Sequence, residues 1–186
     1  QDAGGNLVPT ATDSITLAIN NNPSSGTLSG TLTISATSGE AVFGDISIDK
    51  AGSGYTLNAT ATGLTTGTST SFDITVGVPA QLAYSVEPTN SVSTTSISPA
   101  IRVQVHDAGG NLVPTVTDSI TLAINNNPGA GTLSGTLTVS AISGEATFSD
   151  ISIDKTGSGY TLDATASGLS TGTSTSFNVT VGVAIQ

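Results

Sequence analysis

The sequence lacks cysteine, methionine and tryptophan, and it carries little positive charge. Without Cys it has no thiolate nucleophile, no zinc–thiolate site and no disulfide. Three Lys and Arg in 186 residues cannot neutralise a phosphate backbone, so we expect no nucleic-acid partner. The only histidine, His106, excludes a multi-histidine metal centre and leaves a Ser-His-Asp triad a single possible base. These absences favour a protein that is not an enzyme.

Long apolar runs are also lacking. No stretch approaches the ~20 apolar residues that a membrane-spanning helix needs, so we expect no membrane insertion in this segment. Thirteen acidic residues against three basic ones give a net charge of −10, and the hydrophobic content of 36 % is distributed in regular alternation. Such alternation can build a core and disfavours disorder. The composition is typical of an extracellular, cell-surface β protein.

An internal repeat organises the chain. The segment Asp2–Pro9 recurs as Asp107–Pro114, an offset of 105 residues that continues to the end, where Gln81 matches Gln186. Of the 81 aligned pairs, 16 differ, and most of these differences are mild. Similarity at this level indicates recent duplication and a shared role for the two copies. We therefore predict two modules, residues 1–78 and residues 79–186, the latter complete and including the start of a next strand.

The first module has no counterpart of residues 82–105. That segment holds two strand-like runs with alternating apolar residues: Leu82, Tyr84, Val86, Ile101, Val103 and Val105. Burying each of these is worth roughly 1.5–3 kcal/mol, so losing all six removes on the order of 10 kcal/mol, which is comparable to a domain's whole stability. We therefore expect that residues 1–78 lack their first two strands and do not fold stably alone. Either the chain is a window onto a longer tandem array, or another polypeptide donates the strands.

The second module reads as seven strands, near 81–86, 100–106, 118–124, 132–142, 145–153, 160–167 and 173–182. Glycine- and asparagine-rich turns separate them, and no stretch has helical periodicity with caps. Seven strands in about 105 residues predict an all-β, immunoglobulin-like β-sandwich, repeated in tandem. Tyr160, and Tyr55 at the equivalent position, are candidates for the tyrosine corner of that fold. The last strand is expected to turn Phe177, Val179 and Val181 inward.

Two sequence runs carry a family resemblance. Val103–Pro114, followed by Ile120–Ile124, resembles bacterial Ig-like (Big-type) repeats of surface proteins of the invasin/intimin adhesin class, and Ile151–Leu162 is similar to repeats of very long bacterial surface proteins. The resemblance covers nearly all of both modules and implies a stalk, fibre or adhesin role. The low lysine content and the missing start of the first module depart from the pattern.

Acidic residues in turns are candidate calcium ligands. Calcium needs six to eight oxygens, and each candidate turn offers few carboxylates, so capped turns and solvated strand ends are favoured over a metal site. These candidates are Asp2 and Asn6, Asp107 and Asn111, Asp45 and Asp49, and Asp150 and Asp154.

The remaining candidates also favour ordinary structural roles. His106 corresponds to Gln1 in the repeat, and glutamine cannot act as an acid or a base. The equivalent Lys50 and Lys155 lie in turns expected to be wet, which disfavours an isopeptide crosslink. Asn58 and Asn178 match the N-glycosylation pattern, and Thr31 and Thr33 resemble part of an ice-binding array. For these candidates too, ordinary positions on strands are favoured. We therefore predict no catalytic, cofactor or metal residues.

The sequence favours a non-catalytic structural repeat of an extracellular bacterial stalk, fibre or filament that acts as a stiff spacer. Its partners would be neighbouring repeats, or other chains of a fibre, through strand complementation. An adhesive module that binds a host or glycan receptor is the alternative, and the long loop 88–99 is its best binding candidate. A filament subunit completed by strand donation from another chain is a further possibility.

Overall fold

The computed structural model describes residues 1–182. It divides into two compact units, of which the first is Gln1–Val76 and the second begins at Gly77. The described residues form strands and turns, without a helix of the length and apolarity that crossing a membrane requires. Thr, Val and Ile dominate the strands because β-branched side chains suit a pleated, half-buried surface.

The first unit contains seven strands. β1 pairs with β3 on one side and with β5 on the other, β5 also pairs with β6 and β7, and β2 pairs with β4. The strands are β1 (Ser14–Asn21), β2 (Leu28–Ser29), β3 (Thr33–Ser35), β4 (Ser47–Ile48), β5 (Gly52–Thr60), β6 (Gly67–Thr68) and β7 (Phe72–Ile74).

The second unit contains eleven strands. One sheet has the order β14-β10-β8, a second has the order β13-β11-β16-β18-β9 with β17 beside β16, and β12 pairs with β15. The strands are β8 (Gln81–Val86), β9 (Ser91–Val92), β10 (Ile101–His106), β11 (Ser119–Asn126), β12 (Leu133–Ser134), β13 (Thr138–Ser140), β14 (Glu145–Phe148), β15 (Ser152–Ile153), β16 (Gly157–Thr165), β17 (Gly172–Thr173) and β18 (Phe177–Thr180).

A single core joins the two sheets of the second unit. Val103 on β10, Ile120 on β11 and Leu162 on β16 are each 0 % exposed and belong to one apolar cluster. Inward-facing residues of two sheets meeting in this way define a β-sandwich. The expected all-β sandwich class is therefore confirmed.

Three predicted strands are each split in two. The runs 132–142, 145–153 and 173–182 were expected to be continuous, but each holds two short strands with a break between them. At Gly135 the backbone has φ +114°, and an added Cβ would lie 2.4 Å from the carbonyl oxygen of Asp150. The chain turns sharply there, so β12 pairs with β15 while β13 pairs with β11. A polar-apolar pattern does not reveal a mid-strand change of partner.

Other sequence-based strand limits agree with β8, β10, β11 and β16 to within three residues at each end. Val181 was expected to face inward but is 76 % exposed, because it lies beyond the end of β18. The predicted loop 88–99 contains β9, which pairs in parallel with β18. Ile97 of the same loop is 2 % exposed, so the loop is part of the sandwich.

The seven strands of the first unit recur in the second at the 105-residue offset, as β11, β12, β13, β15, β16, β17 and β18. β14 is different, because the segment of the first unit that aligns with it is not a strand. Residues 40–43 align with β14 yet form no strand. In the second unit β14 pairs with β10, and the first unit has no residues equivalent to Ile101–Val105. Among the described residues, no strand pairs with residues 40–43.

Identical side chains are buried to different extents in the two units. Leu162 and Phe177 are 0 % and 2 % exposed, whereas their identical counterparts Leu57 and Phe72 are only partly buried. Among the apolar residues of the first unit, Tyr55 and Ala36 alone are fully buried. The first unit thus has half of a sandwich core, with its apolar side uncovered.

We expect Leu162→Ala to destabilise the second unit by about 2–5 kcal/mol, because it leaves a cavity in a closed core. The matched change Leu57→Ala should cost the first unit clearly less, since that side chain is partly solvated already. Urea unfolding followed at NMR signals of each unit measures both. Equal losses would contradict the difference in core closure.

Candidate functional site

The uncovered side of the first unit is the main candidate site, and we call it the open face. It consists of the edge at residues 40–43 and two apolar grooves described below. In the second unit the same edge is β14, whose register on β10 matches Ile101 with Phe148 and Gln104 with Glu145. An unpaired strand edge offers backbone N–H and C=O groups to an incoming strand.

Glu40 places a carboxylate at this edge, and its counterpart in the second unit is hydrogen-bonded. Its counterpart Glu145 accepts a bond from Arg102 at 3.0 Å, from the Gln104 amide at 2.8 Å and from the Ser85 hydroxyl at 2.9 Å. Partial burial alone would raise the pKa of Glu145, but these hydrogen bonds and the Arg102 charge lower it overall. Glu40 is exposed, and none of the described residues is a counterpart of these three partners at the 105-residue offset.

The first groove, which we call the Phe72 groove, is apolar. In the second unit the backbone N–H of Ile97 donates to the carbonyl of Ile151, the counterpart of Ile46, at 2.7 Å. That of Thr94 donates to the carbonyl of Ile153, the counterpart of Ile48, at 2.9 Å. The segment around β9 thus covers this groove in the second unit. Its lining in the first unit is Leu28, Ile46, Ser47, Ile48, Leu57, Phe72 and Ile74.

The second groove, which we call the Leu64 groove, lies beside β6. Its counterpart is covered by the start of β8, where the Leu82 N–H donates to the Ser170 carbonyl at 3.1 Å. A Cβ added at Gly172 would lie 2.6 Å from the Leu82 carbonyl oxygen, but one added at Gly67 would meet nothing within 4 Å. Its lining is Ile15, Ala59, Thr60, Ala61, Leu64, Thr65 and Gly67.

We predict that Gly172→Ala destabilises the second unit by about 1–3 kcal/mol, because the new methyl group collides with a backbone carbonyl that has little room to move. The matched Gly67→Ala should change the first unit's stability by no more than about 0.5 kcal/mol, as at an ordinary surface position. Thermal unfolding with signals from each unit measures both. A comparable cost at the two glycines would show that the Leu64 groove is not open.

The turn that follows β10 fixes the connection between the units to the second one. Asp107 is 5 % exposed, and its carboxylate accepts the Asn111 N–H at 2.9 Å and the Gly77 N–H at 2.8 Å. Burial alone would raise the pKa of Asp107, but the N–H groups of Asn111 and Gly77 outweigh it and lower that pKa. The equivalent Asp2 is exposed and accepts bonds from Gly4 and Asn6. Both turns are capped as the sequence predicts.

The lowered pKa of Asp107 predicts an acid-sensitive second unit. The stabilisation from its carboxylate is complete above the ordinary value of 3.8 and is lost as the pH falls through the lower folded-state value. Asp107→Asn should cost about 1–3 kcal/mol at neutral pH and flatten this acid dependence. Asp2→Asn should have a smaller effect on the first unit. Thermal unfolding between pH 2 and 7 tests both, and an unchanged acid limb in Asp107→Asn would contradict the assignment.

The other acidic candidates cap backbone turns. Asp45 and Asp150 each accept bonds from the N–H and hydroxyl of a threonine, Thr31 and Thr136 respectively. Asp49 and Asp154 accept the N–H of Thr27 and Thr132, each at 2.6 Å. Across residues 1–182, no three His, Asp or Glu side chains gather closely enough to hold a metal ion.

His106 and the two lysines occupy structural positions. His106 Nε2 lies 3.0 Å from Oε1 of Gln104, within the polar group around Glu145. The backbone carbonyls of Lys50 and Lys155 accept the hydroxyls of Tyr55 and Tyr160, at 2.9 Å and 3.0 Å. These bonds back to the chain five residues upstream are those that a tyrosine corner predicts.

The two glycosylation candidates lie in strands. Asn58 on β5 bonds to Thr68 and Asn20, and Asn178 on β18 accepts the Gly159 N–H at 3.0 Å. Thr33 shares a hydroxyl contact with Thr16 at 2.9 Å. These side chains therefore contribute to cross-strand pairing.

The loop 88–99 forms a shallow depression without a charged side chain. Its lining is Asn90, Ser91, Val92, Thr95, Ser96, Ser98 and Thr180. Sequence reasoning identified this loop as a surface for receptors but missed its role in covering the core.

Sequence reasoning also missed Glu40 and the two grooves as parts of one face. The repeat shows that the first unit has no counterpart of residues 82–105. Only the pairing partners of β8, β9 and β10 show which residues of the first unit are exposed as a result. Aligning the contacts of the second unit onto the first would have found them.

Comparisons with known proteins leave the family open. No protein-family model matches the chain, and no curated protein matches it. Among solved structures, a beta-glycosidase from Bacteroides vulgatus is similar at 17 % identity and a TM-score of 0.45, over 91 % of this chain and 21 % of that one. Domains 4–9 of the surface layer protein SbsC are similar at 15 % identity and a TM-score of 0.41, over 98 % and 24 %.

A glycosyl hydrolase family 2 member from Bacteroides cellulosilyticus is similar at 12 % identity and a TM-score of 0.45, over 89 % of this chain and 23 % of that one. The chain thus spans less than a quarter of each of these three proteins. Likenesses this distant assign no activity to it.

Proposed function

We propose that the chain is a non-catalytic structural repeat of an extracellular bacterial stalk, fibre or filament, in which β-sandwich units follow one another as spacers. The observation that carries this proposal is the recurrence of the same strand registers at the 105-residue offset. Leu17 pairs with Ala59 in the first unit as Leu122 pairs with Ala164 in the second. Repeated units of one design supply length without requiring separate functions.

The short connection between the units supports the same proposal. Six residues, 75–80, separate β7 from β8, and one of them is Pro79. Gly77 donates to the Asp107 carboxylate at 2.8 Å, and the Ala80 N–H donates to the His106 carbonyl at 2.8 Å. Proline and these two bonds reduce the number of free torsions in the connection.

The outer strand faces repeat as well. Ser14 and Ser35 have their hydroxyl oxygens 3.0 Å apart, and the equivalent Ser119 and Ser140 have theirs 3.1 Å apart. Paired hydroxyls use each other as partners and add no charge to the face. Such polar faces and a net charge of −10 favour solubility and mutual repulsion of neighbouring chains.

The spacer proposal predicts that length grows in step with repeat number. Chains of two, four and six complete 105-residue repeats should show a maximum dimension, measured by small-angle X-ray scattering, that rises by a constant increment per repeat. As a matched control, a Gly-Ser insertion between Val76 and Gly77 should shorten the increment, because it frees the connection.

Two results would contradict the spacer role. One is a radius of gyration that grows with chain length as in a compact domain, with an exponent of about 0.38. The other is specific binding of complete repeats on a glycan array, which would favour the adhesive alternative with the loop 88–99 as its site.

A further inference from the structure

We infer that the open face of the first unit is a docking site for one segment with the chemistry of residues 77–105, the segment that contributes β8, β9 and β10 to the second unit, supplied by a repeat other than the two of this chain. The inference rests on the proposed function only for the source of the segment, since every complete repeat of an array contains such a segment. The face itself is argued from the second unit, where a segment of this kind already occupies the equivalent surface.

The docking site has two apolar subsites, and the second unit shows which residues cover the equivalent of each. The Leu64 groove corresponds to the surface that Leu82 covers, and the Phe72 groove corresponds to the surface beside which Ile97 and Thr94 bond. Leu82 and Ile97 are 5 % and 2 % exposed in the second unit. An occupant must therefore place an apolar side chain in each groove, at the spacing that separates these two residues in the chain.

The site also specifies backbone pairing. In the second unit the Ile97 and Thr94 N–H groups bond to the carbonyls of Ile151 and Ile153, and β10 pairs along all of β14. The equivalents in the first unit are the carbonyls of Ile46 and Ile48 and the edge at residues 40–43. An extended chain that adds a strand to an existing edge gains its affinity from such main-chain bonds.

Charge selects the occupant. Arg102 is the only arginine of the chain, and it bonds to Glu145 at 3.0 Å. Glu40 is the exposed counterpart of Glu145. An incoming strand should therefore carry an arginine at the position equivalent to Arg102 and a side-chain amide two residues later, as at Gln104. A charge-assisted pair of this kind adds specificity for register.

The direct test places a copy of residues 77–105 ahead of Gln1 in the full chain and measures amide hydrogen exchange by NMR. We expect exchange at Ala41 and Phe43 to slow by at least about 100-fold relative to the unmodified chain, because the register of β14 on β10 directs the N–H groups of their counterparts Ala146 and Phe148 toward β10. Unchanged exchange in the extended chain would overturn the docking site.

Two matched variants test the geometry within the extended chain. Gly67→Ala should abolish the protection, because its methyl group would occupy the place of the Leu82-equivalent carbonyl, whereas it is harmless in the unmodified chain. Glu40→Arg should weaken the protection, and changing the arginine of the added copy to glutamate should restore it. Full protection in Gly67→Ala, or no rescue by the charge swap, would contradict the assigned register.

The source of the segment is tested with the unmodified chain. It should sediment as a monomer with rapid exchange at Ala41 and Phe43. Concentration-dependent oligomers in which these residues are protected would overturn our source and assign the face to a second copy. Protection in the monomer would show that the face is closed and overturn the site itself. None of these outcomes depends on the scattering increments, so docking and the spacer role can fail separately.

Discussion

Backbone pairing of β10 with β14 on one side and with β8 on the other is the interaction on which the closed sandwich depends. β10 brings Ile101, Val103 and Val105 to the core, each 0 % exposed, while its outer side holds Arg102 against Glu145 at 3.0 Å. One strand thus supplies core, edge pairing and the ion pair together. Residues 1–76 contain no equivalent of β10, nor of β8 and β9, and the exposure of the grooves, of Glu40 and of residues 40–43 follows from the absence of these three strands.

Comparing the two units shows how the strands packed around a residue determine its burial. Phe43 and Phe148 are identical, as are Ile46 and Ile151, yet Phe148 and Ile151 are 1 % exposed and their counterparts are only partly buried. Local structure is nearly insensitive to this difference, since the capped turns and tyrosine corners occur in both units. These bonds join residues that both units contain, whereas burial of the core depends on β8, β9 and β10, which only the second unit contains among the described residues.

The carboxylates show why composition misleads about chemistry. Thirteen acidic residues in a chain with three basic ones suggest cation binding. The carboxylate oxygens of Asp45, Asp150 and Asp107 instead accept hydrogen bonds from N–H and hydroxyl groups of turns. A carboxylate that accepts short bonds from the backbone stabilises a turn where a neutral side chain would do so less well. The acidic character of this protein is thus in large part a means of ending strands.

The sequence by itself determined the β class, the 105-residue period and the turns, because alternation and turn residues act over a few neighbours. Only the tertiary structure decided that the run 132–142 changes sheets at Gly135, that Ile97 covers a core, and that Glu40 stands without the arginine that Glu145 has. Each of these depends on which strand lies opposite. That pairing joins residues far apart in the chain, and no local pattern of side chains encodes it.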